Sequence, residues 1–160
     1  MVVIGIDPAI RKNGFALCLF DTINKTVDFK IMDFIDFIIY TESLKKYDIY
    51  NFRDYVFTVE NSNLQNLSFD MKGNKGVLAR KSRNVGMNQA VSQLTCDLLK
   101  RRGFEVVEIS PKQKGAKLEH ETFKALTMNM TVANYKGLKG EQDKRDAFKI
   151  ALLYEKYKNI

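Results

Sequence analysis

Val2-Val3-Ile4-Gly5-Ile6 is an unbroken run of small and apolar residues that ends on Asp7 and Pro8. A run of this kind, rich in β-branched side chains, predicts a strand buried on both faces. Proline has no N–H for a sheet ladder, so the strand stops there and Asp7 stands at its C-terminal tip. A polar turn over 9–13, closed by Gly14, leads to a second apolar run from Phe15 to Phe20. Residues 26–32 alternate, with Val27, Phe29 and Ile31 against Asp28 and Lys30. These three segments predict an antiparallel meander, its first strand central and its third near an edge. The stretch 33–40 is apolar without a clear period, and Thr41 or Ser43 is the expected cap of a helix over 44–55. Tyr55-Val-Phe-Thr-Val-Glu60 predicts another strand that also ends in a carboxylate.

From 64 to 81 no period stands out, and Gly73, Asn74 and Gly76 predict a basic loop. Residues 83–102 predict a long helix whose apolar stripe is Met87, Val91, Leu94 and Leu98, widened by Ala90 and Leu99. Lys100, Arg101 and Arg102 suit its negative C-terminal end, and Gly103 its termination. A strand over 104–109, a Lys-rich loop opened by Ser110-Pro111, a helix over 118–130, a loop over 131–140 and a last helix over 141–157 complete the chain. A meander followed by alternating helices and strands predicts a mixed five-stranded α/β sheet flanked by helices, in one domain spanning 1–160.

The balance of charge narrows the function. Lys and Arg number 26 against 19 Asp and Glu, a net charge of +7. Lys72, Lys75, Arg80, Lys81 and Arg83 fall close together without an acid among them, and Lys112, Lys114 and Lys117 form a second cluster. Clustered cations on a basic domain point to nucleic acid before membrane. No run approaches the ~20 apolar residues of a membrane span. Met1 leads straight into the first strand, so no leader is expected, and Cys18 and Cys96 read as small buried hydrophobes of a reducing, cytoplasmic compartment.

The acids carry the chemistry. In the last helix, Ala147, Ile150, Leu153, Tyr154 and Tyr157 form an apolar stripe whose backward extension reaches Asp143 and Asp146. Both are therefore expected on the buried face, with Lys144, Arg145 and Lys149 toward solvent. A helix N-terminus favours one acid on any face through its dipole, but not two acids on the apolar face. Like charges buried side by side share a proton or hold a cation. If the strands ending in Asp7 and Glu60 are parallel neighbours, their tips share one sheet edge, and the last helix would complete a cluster of four acids. Oxygen ligands without His or Cys select Mg²⁺ or Mn²⁺, and two such ions suit phosphodiester cleavage. His120, the only histidine, reads as a solvated residue outside that cluster.

Ile4-Gly5-Ile6-Asp7-Pro8, Val59-Glu60, Gly86-Met87-Asn88-Gln89-Ala90, Ile109-Ser110-Pro111 and Asp143-Lys-Arg-Asp146-Ala147 occur in the order seen in RuvC-type Holliday-junction resolvases of the RNase H-like superfamily. The chain resembles a small phage- or virus-type member over nearly its whole length. The resemblance implies a homodimer on a four-way DNA junction, each subunit nicking one of two like-polarity strands with two Mg²⁺ (or Mn²⁺) ions and leaving 5′-phosphate ends. It implies that Asp7, Glu60, Asp143 and Asp146 are the catalytic metal ligands, and that the helix over 83–102 supplies part of the dimer contact. Lys72, Lys75, Arg80, Lys81, Arg83, Lys112, Lys114 and Lys117 would grip phosphates; no organic cofactor and no membrane are implied. Ala9 stands where the family has Gly, and no aromatic matches at Asn63, leaving Phe69 as the candidate wedge at the junction centre. The alternatives are a nuclease acting on RNA–DNA hybrids or ribosomal RNA, and a non-catalytic DNA-binding module. An actin-like ATPase shares the opening strand but needs a second half that 160 residues cannot supply.

Overall fold

The opening run forms β1 (Val2–Asp7), followed by β2 (Phe15–Asp21) and β3 (Thr26–Met32) in an antiparallel meander. β4 (Tyr55–Glu60) lies parallel to β1, and β5 (Glu105–Ile109) lies parallel to β4. With β6 at Thr131–Ala133, the sheet order is β5-β4-β1-β2-β3-β6, so β1 is central, as its uniformly apolar sequence requires. The structure is a computed structural model that describes residues 1–9, 14–47, 55–65, 73–137 and 141–159, without the side chains of 45–47. The mixed α/β sheet flanked by helices is the expected class. β6 (Thr131–Ala133) is an addition, a short parallel strand beside β3 in a segment expected to be loop. Three residues are too few to show an alternating pattern.

The sheet separates two apolar clusters. On one face Val3, Val56 and Ile109 meet Ala147, Phe148, Ile150 and Ala151 of α5 (Gln142–Leu152) and Phe123 of α4 (His120–Leu126). On the other, Ile4, Ile6, Phe57 and Val59 meet Phe37 of α1 (Phe34–Tyr47) and Val91, Cys96 and Leu99 of α2 (Lys75–Arg101). The strands' alternation of faces therefore puts Asp7, two residues after Gly5, and Glu60, two after Thr58, on the α5 side.

Gly5 sets how closely α5 lies on the sheet. A Cβ there would stand 2.1 Å from the Ala147 carbonyl oxygen and 2.5 Å from the Ala151 nitrogen. Only a residue without a side chain, facing the small side chains of Ala147 and Ala151, lets the helix backbone touch the central strand.

Helix limits differ from expectation where caps went unread. α1 starts after Asp33, whose carboxylate accepts from the Asp36 N–H at 2.8 Å. Thr41 lies inside it, returning its hydroxyl to the Phe37 carbonyl. α2 begins at Lys75, because the Asn74 side chain accepts from the Val77 N–H at 3.0 Å. Its buried face is Val91, Ser92, Thr95, Cys96 and Leu99, rotated from the expected stripe; Leu94 is 54% exposed. Ser92 and Thr95 enter the core because their hydroxyls bond back to the Asn88 and Val91 carbonyls. The segment expected as one helix over 118–130 is α4 alone, preceded by the short α3 (Pro111–Lys114), and the last helix breaks at Leu153 before α6 (Tyr154–Tyr157). Both cysteines are free and buried, as expected.

Candidate active site

β1 and β4 run parallel and in register up to Ile6 opposite Val59, so the next residues, Asp7 and Glu60, stand side by side at one sheet edge. β5 ends at that edge too, and Asn61 N–H donates to the Ile109 carbonyl at 2.8 Å. The chain then turns directly into α3. Ser110 caps it in a reciprocal box with Gln113, and Gly115, at φ 71°, ends it after a single turn. This compact turn brings Lys114 back over the tip of β4.

Lys114 is the centre of the site. Its ammonium forms a close ion pair with Glu60 Oε2 and lies 3.9 Å from Asp146 Oδ2. The side chains of Lys114, Glu60 and Asp146 are 13%, 12% and 4% exposed. Asp7 belongs to the same field: burial pushes its pKa up to about 7, the Lys114 charge opposes that rise, and Glu60, Asp143 and Asp146 add to it. For Lys114, burial alone would lower the pKa, but Asp7, Glu60 and Asp146 outweigh it and hold the ammonium above its ordinary value. Lys114, expected as an outward grip on phosphate, is instead enclosed among the acids. Its sequence neighbours hid this, since Lys112 and Lys117 are exposed as expected.

Asp146 is held more firmly than the other acids. Its Oδ1 accepts from the Leu118 N–H at 3.1 Å and from Gln142 Nε2 at 2.9 Å, leaving Oδ2 toward Lys114. Asp143 departs from expectation: it is exposed, and only its charge reaches Asp7. Arg145 departs the other way, being 5% exposed rather than on the solvent side. At the start of a helix lying this close to the sheet, the loop 115–119 covers the 145 position and leaves 143 open. Asn61, the residue after Glu60, is buried and gives its amide to Glu108, which also pairs with Lys100. His120 is not simply solvated, since its Nδ1 is 2.8 Å from the Tyr135 hydroxyl.

The remaining expected contacts divide. Lys75, Arg80, Lys81 and Arg83 are exposed along the first half of α2; Arg83 is on the helix as expected, whereas Lys75, Arg80 and Lys81 are helical where a loop was expected. Lys72 and Phe69 lie outside the described residues. No helix among the described residues is long and apolar enough to cross a membrane.

The donor set is carboxylate oxygen alone, which suits a hard divalent cation. Glu60 Oε2 is buried without an aligned hydrogen bond, its close neighbour being the Lys114 ammonium. Among the described residues no three acids stand in a ligating arrangement around one point; Lys114 pairs with Glu60 and Asp146 there. In charge and donor chemistry the acids fit a cation.

Neither a family model nor a curated protein matches the chain. Among solved structures it is similar to T. thermophilus RuvC in complex with a Holliday junction substrate, at 18% identity and a TM-score of 0.46, over 98% of this chain and 95% of that one. A likeness of that size bears on neither substrate nor mechanism.

Proposed function

We propose that the chain is a metal-dependent endonuclease that resolves four-way DNA junctions, with Asp7, Glu60, Asp143 and Asp146 as its metal ligands. The observation that carries this reading is the convergence of acids from β1, β4 and α5 on one buried positive charge at a single sheet edge. A stability role alone does not account for it, since burying several carboxylates around one ammonium costs more than an apolar core. The order of motifs shared with RuvC-type resolvases supports the junction as substrate.

Two Mg²⁺ or Mn²⁺ ions, when bound, supply an activated water and stabilise the leaving oxygen of a phosphodiester. The chain's own groups do the rest. β1 and β4 fix Asp7 and Glu60 on ladder-bonded strand ends, and Asp146 presents Oδ2 while its other oxygen is held. Lys114 neutralises the acids and is placed to meet a phosphate brought to them. Lys112 and Lys117 flank that point, and the exposed Lys75, Arg80, Lys81 and Arg83 of the first half of α2 offer a second basic region for the backbone of a DNA arm. A homodimer would set two such centres on the two strands of like polarity, and the exposed Leu94 side of α2 is where its contact is proposed.

The test is cleavage of a four-way DNA junction, a linear duplex and an RNA–DNA hybrid under Mg²⁺ and Mn²⁺. Paired nicks with 5′-phosphate ends in the junction alone are expected. Cleavage of the hybrid with the junction left intact would overturn the substrate assignment, and no cleavage of any of them would overturn the enzyme.

A further inference from the structure

Arg145 is a buried guanidinium whose hydrogen-bond partners among the described residues are all neutral. Its Nε donates to the Leu118 carbonyl at 3.0 Å, Nη1 to the Tyr135 hydroxyl at 3.0 Å, and Nη2 to Gln142 Oε1 at 2.7 Å. Among the described residues it makes no ion pair, so attraction to an acid does not explain its place. Burying a charge without a counter-charge is expensive, and packing alone would be served by an aliphatic side chain.

Two of its three partners lead to Asp146. The Leu118 peptide that accepts from Arg145 Nε is part of the residue whose N–H donates to Asp146 Oδ1. The Gln142 amide is ambiguous in itself, since either end can face a carboxylate's neighbourhood. With Oε1 taken by a guanidinium, which can only donate, Nε2 must point the other way. It then donates to the Leu118 carbonyl at 3.1 Å and to Asp146 Oδ1 at 2.9 Å. Asp146 is thereby hydrogen-bonded through one oxygen only, and the other faces the Lys114 ammonium at 3.9 Å.

We propose that Arg145 is the positioning residue for Asp146, setting the sense of the Gln142 amide and pinning the Leu118 peptide so that Oδ2 alone is presented to a divalent cation. The inference rests on the nuclease reading above. Outer hydrogen-bond partners of metal ligands typically change affinity by about 10–100-fold. Without Arg145 the Gln142 amide can turn over, offering an acceptor to a carboxylate that needs a donor.

The experiment is Mn²⁺ binding by calorimetry on the full chain, without DNA, for wild type, Asp146→Asn, Arg145→Met, Gln142→Leu and the Arg145→Met/Gln142→Leu double variant, each well below its own unfolding temperature. Asp146→Asn is expected to abolish binding by the tightest ion. Arg145→Met and Gln142→Leu are each expected to weaken it about tenfold, and the double variant no more than the worse single one, because both act through the same two hydrogen bonds. Should Arg145→Met not fold, Gln142→Leu, at a half-buried position, carries the test. Wild-type affinity in both single variants, with binding lost in Asp146→Asn, would overturn the role of Arg145 and leave the nuclease reading standing. No Mn²⁺ binding by the wild type would overturn both.

Discussion

The acids at the sheet edge reach it by two different routes. Asp7 and Glu60 ride on the ends of neighbouring parallel strands, where backbone ladders fix the Cα positions and little else is needed. Asp146 rides on a helix laid across those strands, and its carboxylate accepts from the Gln142 side chain and the Leu118 N–H, with Arg145 bonded to that side chain and to the Leu118 carbonyl. The strand-borne acids are rigidly mounted but poorly solvated, with Asp7 held near a pKa of 7 and Glu60 Oε2 short of a hydrogen bond. The helix-borne acid is well bonded, but only as well placed as the helix. A sheet edge can supply position cheaply, whereas orientation on a helix has to be built residue by residue.

Gly5 joins the two routes, so changing it breaks the comparison outright. Gly5→Val puts side-chain atoms where the α5 backbone already lies, and the helix must move off the strand. Destabilisation of about 3 kcal/mol or more is expected by chemical denaturation, with loss of cleavage even at temperatures where the variant is folded. Near-wild-type stability would show that α5 does not rest on β1 as described.

Lys114→Ala separates the strand-borne acids from their counter-charge. The metal-free protein is expected to lose about 2 kcal/mol at pH 7, because Glu60 is left buried without a partner. Saturating Mg²⁺ should return much of that loss, and a thermal-shift titration reads both.

The strand side has a further signature in pH. An acid whose pKa rises from 3.8 unfolded to about 7 folded favours the native state fully below pH 3.8, and that contribution is lost as pH rises to about 7. Asp7→Asn keeps the neutral form at every pH. It should therefore leave the stability of the metal-free protein nearly unchanged below pH 3.8, raise it by about 1–2 kcal/mol at pH 5 and raise it further, by about 3–4 kcal/mol, at pH 8. A loss at pH 8 would mean that the Lys114 attraction outweighs burial.

The smallest effects belong to the exposed cations. Lys112→Ala and Lys117→Ala should each weaken junction binding modestly and reduce the slope of log K against log salt by about 1, with stability unchanged. Equal slopes in wild type and variants would remove these residues from the DNA path.

Much of this arrangement was legible in the chain. The apolar run ending at Asp7, the strand ending at Glu60 and the spacing of Asp146 ahead of an apolar stripe all express periodicities of two or 3.6 residues, and those survive folding because burial enforces them. What was not legible depends on contacts between distant segments. Arg145 is covered by a loop that begins some thirty residues earlier, so its charge suggested solvent. Lys114 sits between two exposed lysines, and only the single turn of α3 sets it apart from them. Gly5 did carry a readable signal, an isolated glycine inside a strand facing Ala147 and Ala151 four residues apart, which marks a close backbone approach. Asp33 and Asn74 were readable as helix caps and displaced two predicted helix starts.

The central claim is that the acids gathered around Lys114 cut branched DNA rather than merely stabilise a DNA-binding fold. Its most direct test is a paired measurement on Asp7→Asn: cleavage of a four-way junction in Mg²⁺, and binding of the same junction in Ca²⁺ or without divalent ions. The account predicts cleavage lower by about three orders of magnitude or more, with binding equal to or tighter than wild type, because a negative charge beside phosphate has been removed. Cleavage at the wild-type rate by Asp7→Asn would contradict it.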